Sequence, residues 1–267
     1  MNVPKISVVS SPLPVPQSAD DYRAELERLA RAMSTGREAE IVDMLEEGSS
    51  AERLEWFVSG NIEKRAEWIK SMLPLVAGSL ADFDELAGAY VQTQPQAAVG
   101  TGENDADAFL AWLEETQPLS DEERDYVASQ RARHALEDLA RERRLEHLQF
   151  QETLDRSKEL IHQLGHPAGS ELKIQLNPIH AWTTLRTSVL LGDEAELPGD
   201  VLFFGIADGS SAAALEPEAR ALVRELAEKG PWTLDTWACF TEHADRQGLL
   251  DVCELLAAMG VIGVIDN

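Results

Sequence analysis

Three sets of residues have types and spacings that chemistry could use. His162 and His166 stand four apart, and His180 follows. Histidines four apart on an unbroken helix share one face and can ligate one metal. Here Gly165 and Pro167 interrupt the helix, and no carboxylate lies between the two histidines, so surface or turn histidines are expected. Cys239 precedes His243 by four on a predicted helix, and a Cys–His pair can activate a thiolate. Ala238 and Phe240 flank Cys239, which places it in a predicted core instead. Gly199, Gly205 and Gly209 lack the spacing of a phosphate loop and the Lys-Ser/Thr that follows one. No catalytic residue, metal ligand or cofactor is therefore expected in this chain.

The chemistry that remains is that of the backbone. Ser210, Ser211, Ala212, Ala213, Ala214 and Leu215 form a run of mostly small residues. A strand of small side chains at a sheet edge lets a second backbone approach and pair as an added strand. Leu249, Val252 and Leu256 lie on one face of a later predicted helix and are candidates for the floor of an adjoining peptide pocket. They serve equally well as core, and the small-residue run equally well as an ordinary edge strand.

The elements that must position these residues span 200–265. Residues 201–206 are a short apolar run with Phe203 and Phe204, the pattern of a buried strand. Asp208-Gly209 is a hairpin turn dipeptide, and 210–215 returns as the second strand. Pro217 opens a helix at a first-turn position, with Ala219, Leu222, Val223 and Leu226 on one face. Thr233 is the predicted N-cap of a second helix carrying Leu234 and Trp237. Gly248 is expected to start a third, which Gly260 closes before a last apolar run at 261–265. Strands followed by three short helices predict a small winged helix-turn-helix.

Composition narrows the function classes. The chain has 267 residues, 48 acids against 23 bases, and a formal net charge of −25. Its length is consistent with about two domains. Such a charge repels phosphate backbones and anionic membranes. From 200 to 267 there are four bases and twelve acids, and Arg246 alone stands near the mouth of the last helix. Duplex reading by a winged helix needs Lys and Arg on phosphates, so nucleic-acid binding is not expected. The two cysteines, Cys239 and Cys253, have no metal-type spacing and are expected as reduced core residues. No apolar run is long enough to span a membrane, and no secretory pattern stands near the start. A cytoplasmic location is expected.

Along the chain, residues 1–18 contain Pro4, Pro12, Pro14 and Pro16 and are expected to form an extended arm. Residues 19–165 are expected to form an α-helical domain. Asp20 or Asp21 is the predicted cap of its first helix, Pro74 ends or kinks a helix begun near Leu54, and Pro95 lies in a loop. Pro118 to Asp121 forms a turn and cap into one long charged helix, 122 to about 164, with alternating signs expected of a solvated face. Gly165 to Gly169 is the expected domain boundary, and 170–267 the winged-helix domain. Leu172, Ile174 and Leu176 alternate with polar residues as a half-buried strand does. The segment around Trp182 reads as a strand or a short helix. The fold class expected is α+β, mostly α.

One resemblance runs across much of the chain. Leu54-Glu-Trp-Phe-Val-Ser-Gly-Asn-Ile62, Met72-Leu-Pro-Leu-Val76, and Phe83-Asp-Glu-Leu-Ala-Gly-Ala-Tyr90 with Pro95 resemble the N-terminal helical domain of the HvfC/BufC-like proteins. Segments 174–182, 201–204, 222–226 and 255–262 resemble that family's C-terminal domain. The likeness is distributed over about residues 50–264, without one diagnostic motif, and the chain departs from the family at Glu122-Glu-Arg-Asp125. Members of the family, like the similar MbnC and TglI proteins, are partner subunits of multinuclear non-haem iron oxygenases. Those enzymes modify cysteines of ribosomally made peptides in RiPP biosynthesis. The resemblance implies a RiPP-recognition-element-like domain that binds a precursor's leader as an added strand. It also implies a heterodimer in which the partner enzyme holds the iron. The alternative is an acidic winged-helix module for protein interaction or transcription regulation.

Overall fold

A computed structural model describes residues 19–35, 37, 41, 51–94, 105–192 and 197–266. The expected arm at 1–18 lies outside them. The chain is α+β and mostly α, and it divides into two compact units, Met1–Gln117 and Pro118–Asn267. The boundary expected at 165–169 falls inside the second unit.

The first unit is helical: α1 (Ala19–Thr35), α2 (Ala51–Met72), α3 (Pro74–Ser79), α4 (Phe83–Thr93) and α5 (Asp105–Thr116). Asp20 and Asp21 stand in the first turn of α1, where acids favour the positive helix end, not before it as a cap. Pro74 ends α2 and opens α3, because a first-turn Pro has no N–H to leave unpaired. Val58, Ile69, Leu73, Phe83, Tyr90, Phe109 and Leu113 bury their side chains in this unit. Phe83 and Tyr90 meet Phe109 edge-on, with centroids 5.4 and 5.2 Å away, the packing that ring quadrupoles favour.

The second unit opens with α6 (Asp121–Glu142) and α7 (Arg144–Leu160). The single long helix expected here is two helices, because Arg143 leaves the helical region at φ −106° and ψ 35°. The N-terminus of α6 is a capping box, with Ser120 and Glu123 each satisfying the other's backbone N–H. The expected solvated face is a partial truth. Val127, Ala132 and Leu136 of α6 are buried, and so are Phe150 and Ser157 of α7.

Among the described residues six strands follow these helices: β1 (Lys173–Leu176), β2 (His180–Leu185), β3 (Gly199–Ile206), β4 (Gly209–Ala214), β5 (Trp232–Thr233) and β6 (Ile262–Ile265). Between them lie α8 (Pro217–Lys229), α9 (Leu234–Phe240) and α10 (Arg246–Met259). The segment around Trp182 is thus a strand. The two antiparallel sheets have orders β5-β1-β6 and β2-β3-β4. Asn177, fully buried, joins them: its amide nitrogen donates to Gly205 O at 2.8 Å and Gly260 O at 3.1 Å, and its oxygen accepts from Ile179 N at 2.9 Å.

The sheet β2-β3-β4 is covered on both faces, which is why 201–205 reads as an unbroken buried run. Leu202, Phe204 and Ala213 join the core built on α8, α9 and α10. Val201, Phe203 and Leu185 face Ala132 and Leu136 of α6. Asp125 of α6, fully buried, fastens this layer by accepting from Arg186 N at 2.9 Å and Thr187 N at 2.6 Å. On the other sheet, Val264 N donates to Ser157 Oγ of α7 at 2.7 Å. The helices 121–160 therefore belong with the sheets, a tertiary fact that no local pattern carried. The Thr233 cap on α9 holds, accepting from Thr236 N at 3.1 Å. The third helix starts at Arg246 instead of Gly248, because Asp245 is its cap and accepts from Gly248 N at 2.8 Å. Gly260 ends it at φ 81°, a left-handed value that glycine adopts without strain.

Candidate functional site

Among the described residues the groups with conventional reactivity do not converge. No cluster of three or more His, Cys, Asp or Glu side chains is placed to hold a metal ion. His162 and His166 are both exposed, and His180 places Nδ1 2.6 Å from Asn177 O. Burial holds His180 below the usual histidine range, Arg143 adds to that, and the Asn177 carbonyl works against it. Cys239 is exposed, a correction to its expected place in the core, because α9 turns Cys239 and Phe240 outward and buries Trp237. His243 lies 3.6 Å from Glu225. Cys253 is buried, and burial pushes its thiol up to about 12, so it stays protonated and inert. Arg246 pairs with Asp235 at 2.9 Å.

The edge strand is where the small-residue run was read. Among the described residues β4 lies at one margin of its sheet and pairs with β3 alone, Leu202 opposite Ala213 and Phe204 opposite Ser211. The hairpin has a two-residue turn, closed by Ile206 opposite Gly209. That closing pair exchanges hydrogen bonds, and pairs then alternate along an antiparallel ladder. Ser211 and Ala213 thus spend their N–H and C=O groups on β3. Ser210, Ala212 and Ala214 turn theirs to the free edge. Three residues therefore offer backbone pairing, and Ala213 is not one of them.

The helix residues behave differently. Leu249 and Leu256 are fully buried in the same core as Ala213 and Leu215, and Val252 is half-buried against it. α10 packs on α9, β6 and α7. Leu249 and Leu256 thus belong to the core beneath β4.

One feature near this edge carried no sequence signal. A cleft of about 320 Å³ lies between α6, the start of α7 and the turn end of β3 and β4, lined among others by Arg133, Glu137, Arg141, His147, Ile179 and Ser210. Arg133 donates from Nη1 to Ser210 Oγ at 3.3 Å. Its Nε and the Nδ1 of His147 are buried without a hydrogen-bond partner among the described residues. Gly205 closes the floor: a Cβ there would stand 2.9 Å from Ile179 Cγ2 and 3.3 Å from His147 Cε1. Arg133 sat unnoticed in the alternating charges of α6, since charge order does not tell which side chain turns inward.

At the far end of the sheet, Thr184 donates to Asp200 at 2.9 Å, and Arg224 lies over the Trp182 ring at 5.1 Å. The Thr184 hydroxyl, with Arg224 beside it, holds the Asp200 carboxyl below its usual range.

No protein-family model, curated protein or solved structure matches this chain.

Proposed function

We propose that this chain is a non-catalytic partner subunit. It binds the leader of a ribosomally synthesised precursor peptide and presents that peptide to a multinuclear non-haem iron oxygenase that modifies cysteine. The observation that supports the reading is the open edge of β4, where Ser210, Ala212 and Ala214 turn unspent backbone groups outward from a strand of small side chains. Pairing through the backbone needs no conspicuous side-chain motif, and the pattern of neighbouring side chains sets specificity. The order of elements, the sheet β2-β3-β4 followed by α8, the short β5, α9 and α10, supports a winged-helix, RiPP-recognition-element-like domain. The resemblance to HvfC/BufC-like proteins points to the same partner enzyme, with the iron in that enzyme. The reading places the complex in the cytoplasm.

The test is co-purification with the oxygenase and a short Cys-containing precursor encoded beside it. Hydrogen-exchange footprinting of the full chain with the precursor's leader should then protect β4. Ala212→Pro should keep the fold, because its N–H faces the free edge, and should weaken leader binding by roughly 1–3 kcal/mol, the cost of one unpaired buried group. Ala213→Pro should disturb the domain itself, because that N–H is spent on β3. A footprint confined to Met1–Gln117, or a folded Ala212→Pro chain with unchanged leader affinity, would sink the reading.

A further inference from the structure

We propose that the cleft at the turn end of β4 receives a carboxylate of the bound peptide; the proposal rests on the reading of β4 as a peptide-pairing edge. Three observations converge on it. The first is unpaired polarity. Arg133 Nε and His147 Nδ1 are both buried without a partner and both belong to residues lining one cleft. Buried polar atoms are nearly always hydrogen-bonded in folded proteins, and each exception calls for a cause. A carboxylate is acceptor-only and presents two oxygens, so it suits the donors of a guanidinium and an imidazole.

The second observation is charge. Arg141 is already committed to Glu137, at 3.7 Å, and to Asp138. Arg133 has no carboxylate partner among the described residues. Glu137 also lines the cleft, but its carboxylate faces Arg141, which leaves Arg133 the cation of the cleft without an acid among the described residues. A partner's acid would supply what the chain's own many acids do not.

The third observation is place. The hydroxyl that Arg133 holds belongs to Ser210, the first β4 residue whose backbone turns to the free edge. A peptide pairing with Ser210, Ala212 and Ala214 passes the cleft as it reaches the hairpin turn. The cleft thereby fixes register: strand addition along small, featureless residues tolerates slippage by two, and one acid on Arg133 selects a single alignment. The general acidity of the chain predicts a basic leader; the cleft predicts one acid at a set position within it.

The carboxylate is either a side chain or a free C-terminus, and a selection separates them. Short random peptides are displayed on the full chain in two formats, one internal to a scaffold and one ending in a free carboxylate. Enrichment of Asp or Glu at one position of the internal format assigns the side chain. Enrichment confined to the free-ended format assigns the terminus. Both outcomes support the proposal. Enriched peptides with no acid and no preference for a free end overturn it while leaving edge pairing intact. No enriched peptide in either format overturns edge pairing and the cleft together. For a selected peptide, Arg133→Gln should lower affinity about tenfold or more, and amidating the peptide's acid should have the same effect on the unaltered chain. The two changes together should cost little more than either alone. Lys158→Gln, which removes an exposed, paired cation outside the cleft, should leave affinity within about twofold. Peptide amidation needs no altered protein, so a misfolded Arg133→Gln would leave the test standing. Equal binding of the acid and amide peptides overturns the proposal.

Discussion

Arg65 and Arg133 lie in different units, and the difference between their surroundings separates what holds the protein together from what is left open. Arg65 is 7% exposed. Its Nε and Nη2 donate to the two oxygens of Asp105 at 2.6 and 2.7 Å, and its Nη1 donates to Gln94 O at 2.8 Å. Tyr90 adds a hydroxyl donor to Asp105 at 3.0 Å and places its ring 5.2 Å from the guanidinium. Burial, and then the Asp105 charge, hold the Tyr90 hydroxyl above its ordinary value, so it stays a donor. Arg133 makes one 3.3 Å bond and buries Nε unpaired. A closed cluster such as the first fixes a fold. An incomplete one marks a surface that something else completes.

The largest effect should come from opening the closed cluster. Arg65→Met leaves the Asp105 carboxylate buried with no cation and should destabilise the first unit by about 3–5 kcal/mol. Adding Asp105→Leu should restore most of that, since replacing a whole buried pair by apolar groups is often near neutral. Arg133→Met should cost under about 1 kcal/mol, because it removes one long hydrogen bond together with an Nε that is already unpaired. Hydrogen exchange read separately over Met1–Gln117 and Pro118–Asn267 reports the two units. Equal losses from Arg65→Met and Arg133→Met would erase the distinction.

Asp125 sharpens the comparison inside the second unit, for it is as buried as Arg65 and as well satisfied. Its carboxylate accepts from two backbone N–H groups and from Thr187 Oγ1 at 2.8 Å. Asp125→Ala should strand those donors and cost roughly 1–3 kcal/mol. Asp125→Asn, which keeps one oxygen acceptor, should cost less. Loss of exchange protection at 121–142 and 180–187 is the readout, and unchanged protection in Asp125→Ala would contradict the assignment.

Period and punctuation made much of the second unit legible. Pro217, Thr233 and Gly260 mark helix ends by local chemistry, and 201–206 with Asp208-Gly209 marks the hairpin. Each signal depends on near neighbours in sequence. The contacts that define the unit do not. Ser157 meets Val264, Asp125 meets Thr187, and Arg133 meets Ser210, all across long stretches of chain. The break at Arg143 has no Gly or Pro to announce it. The run 210–215 was legible as small and extended, but which N–H groups face outward depends on register, which the turn sets. Leu249 and Leu256 fit pocket and core alike by sequence, and packing placed them in the core.

The smallest effect concerns Glu123, at the start of the helix that carries Arg133. Its carboxylate accepts from the Ser120 hydroxyl and the Ser120 N–H, both at 2.7 Å. Those hydrogen bonds hold it below its ordinary value of 4.5. A carboxyl whose folded value is depressed contributes stability that is complete above the unfolded value and lost as pH falls through the folded one. Glu123→Gln keeps an acceptor but loses the charge at the positive end of α6, worth roughly 0.3–1 kcal/mol. The original chain should therefore be the more stable at neutral pH, and the gap should close as pH drops below 4.5. Added salt should narrow the gap at neutral pH, because the site is open to solvent. Exchange protection over 121–142 in both chains, followed from neutral to acid pH, reads the gap. A gap that persists at low pH would assign the Ser120 and Glu123 contact to shape alone. It would also remove charge at this helix end from the account of how α6 is held against the sheet.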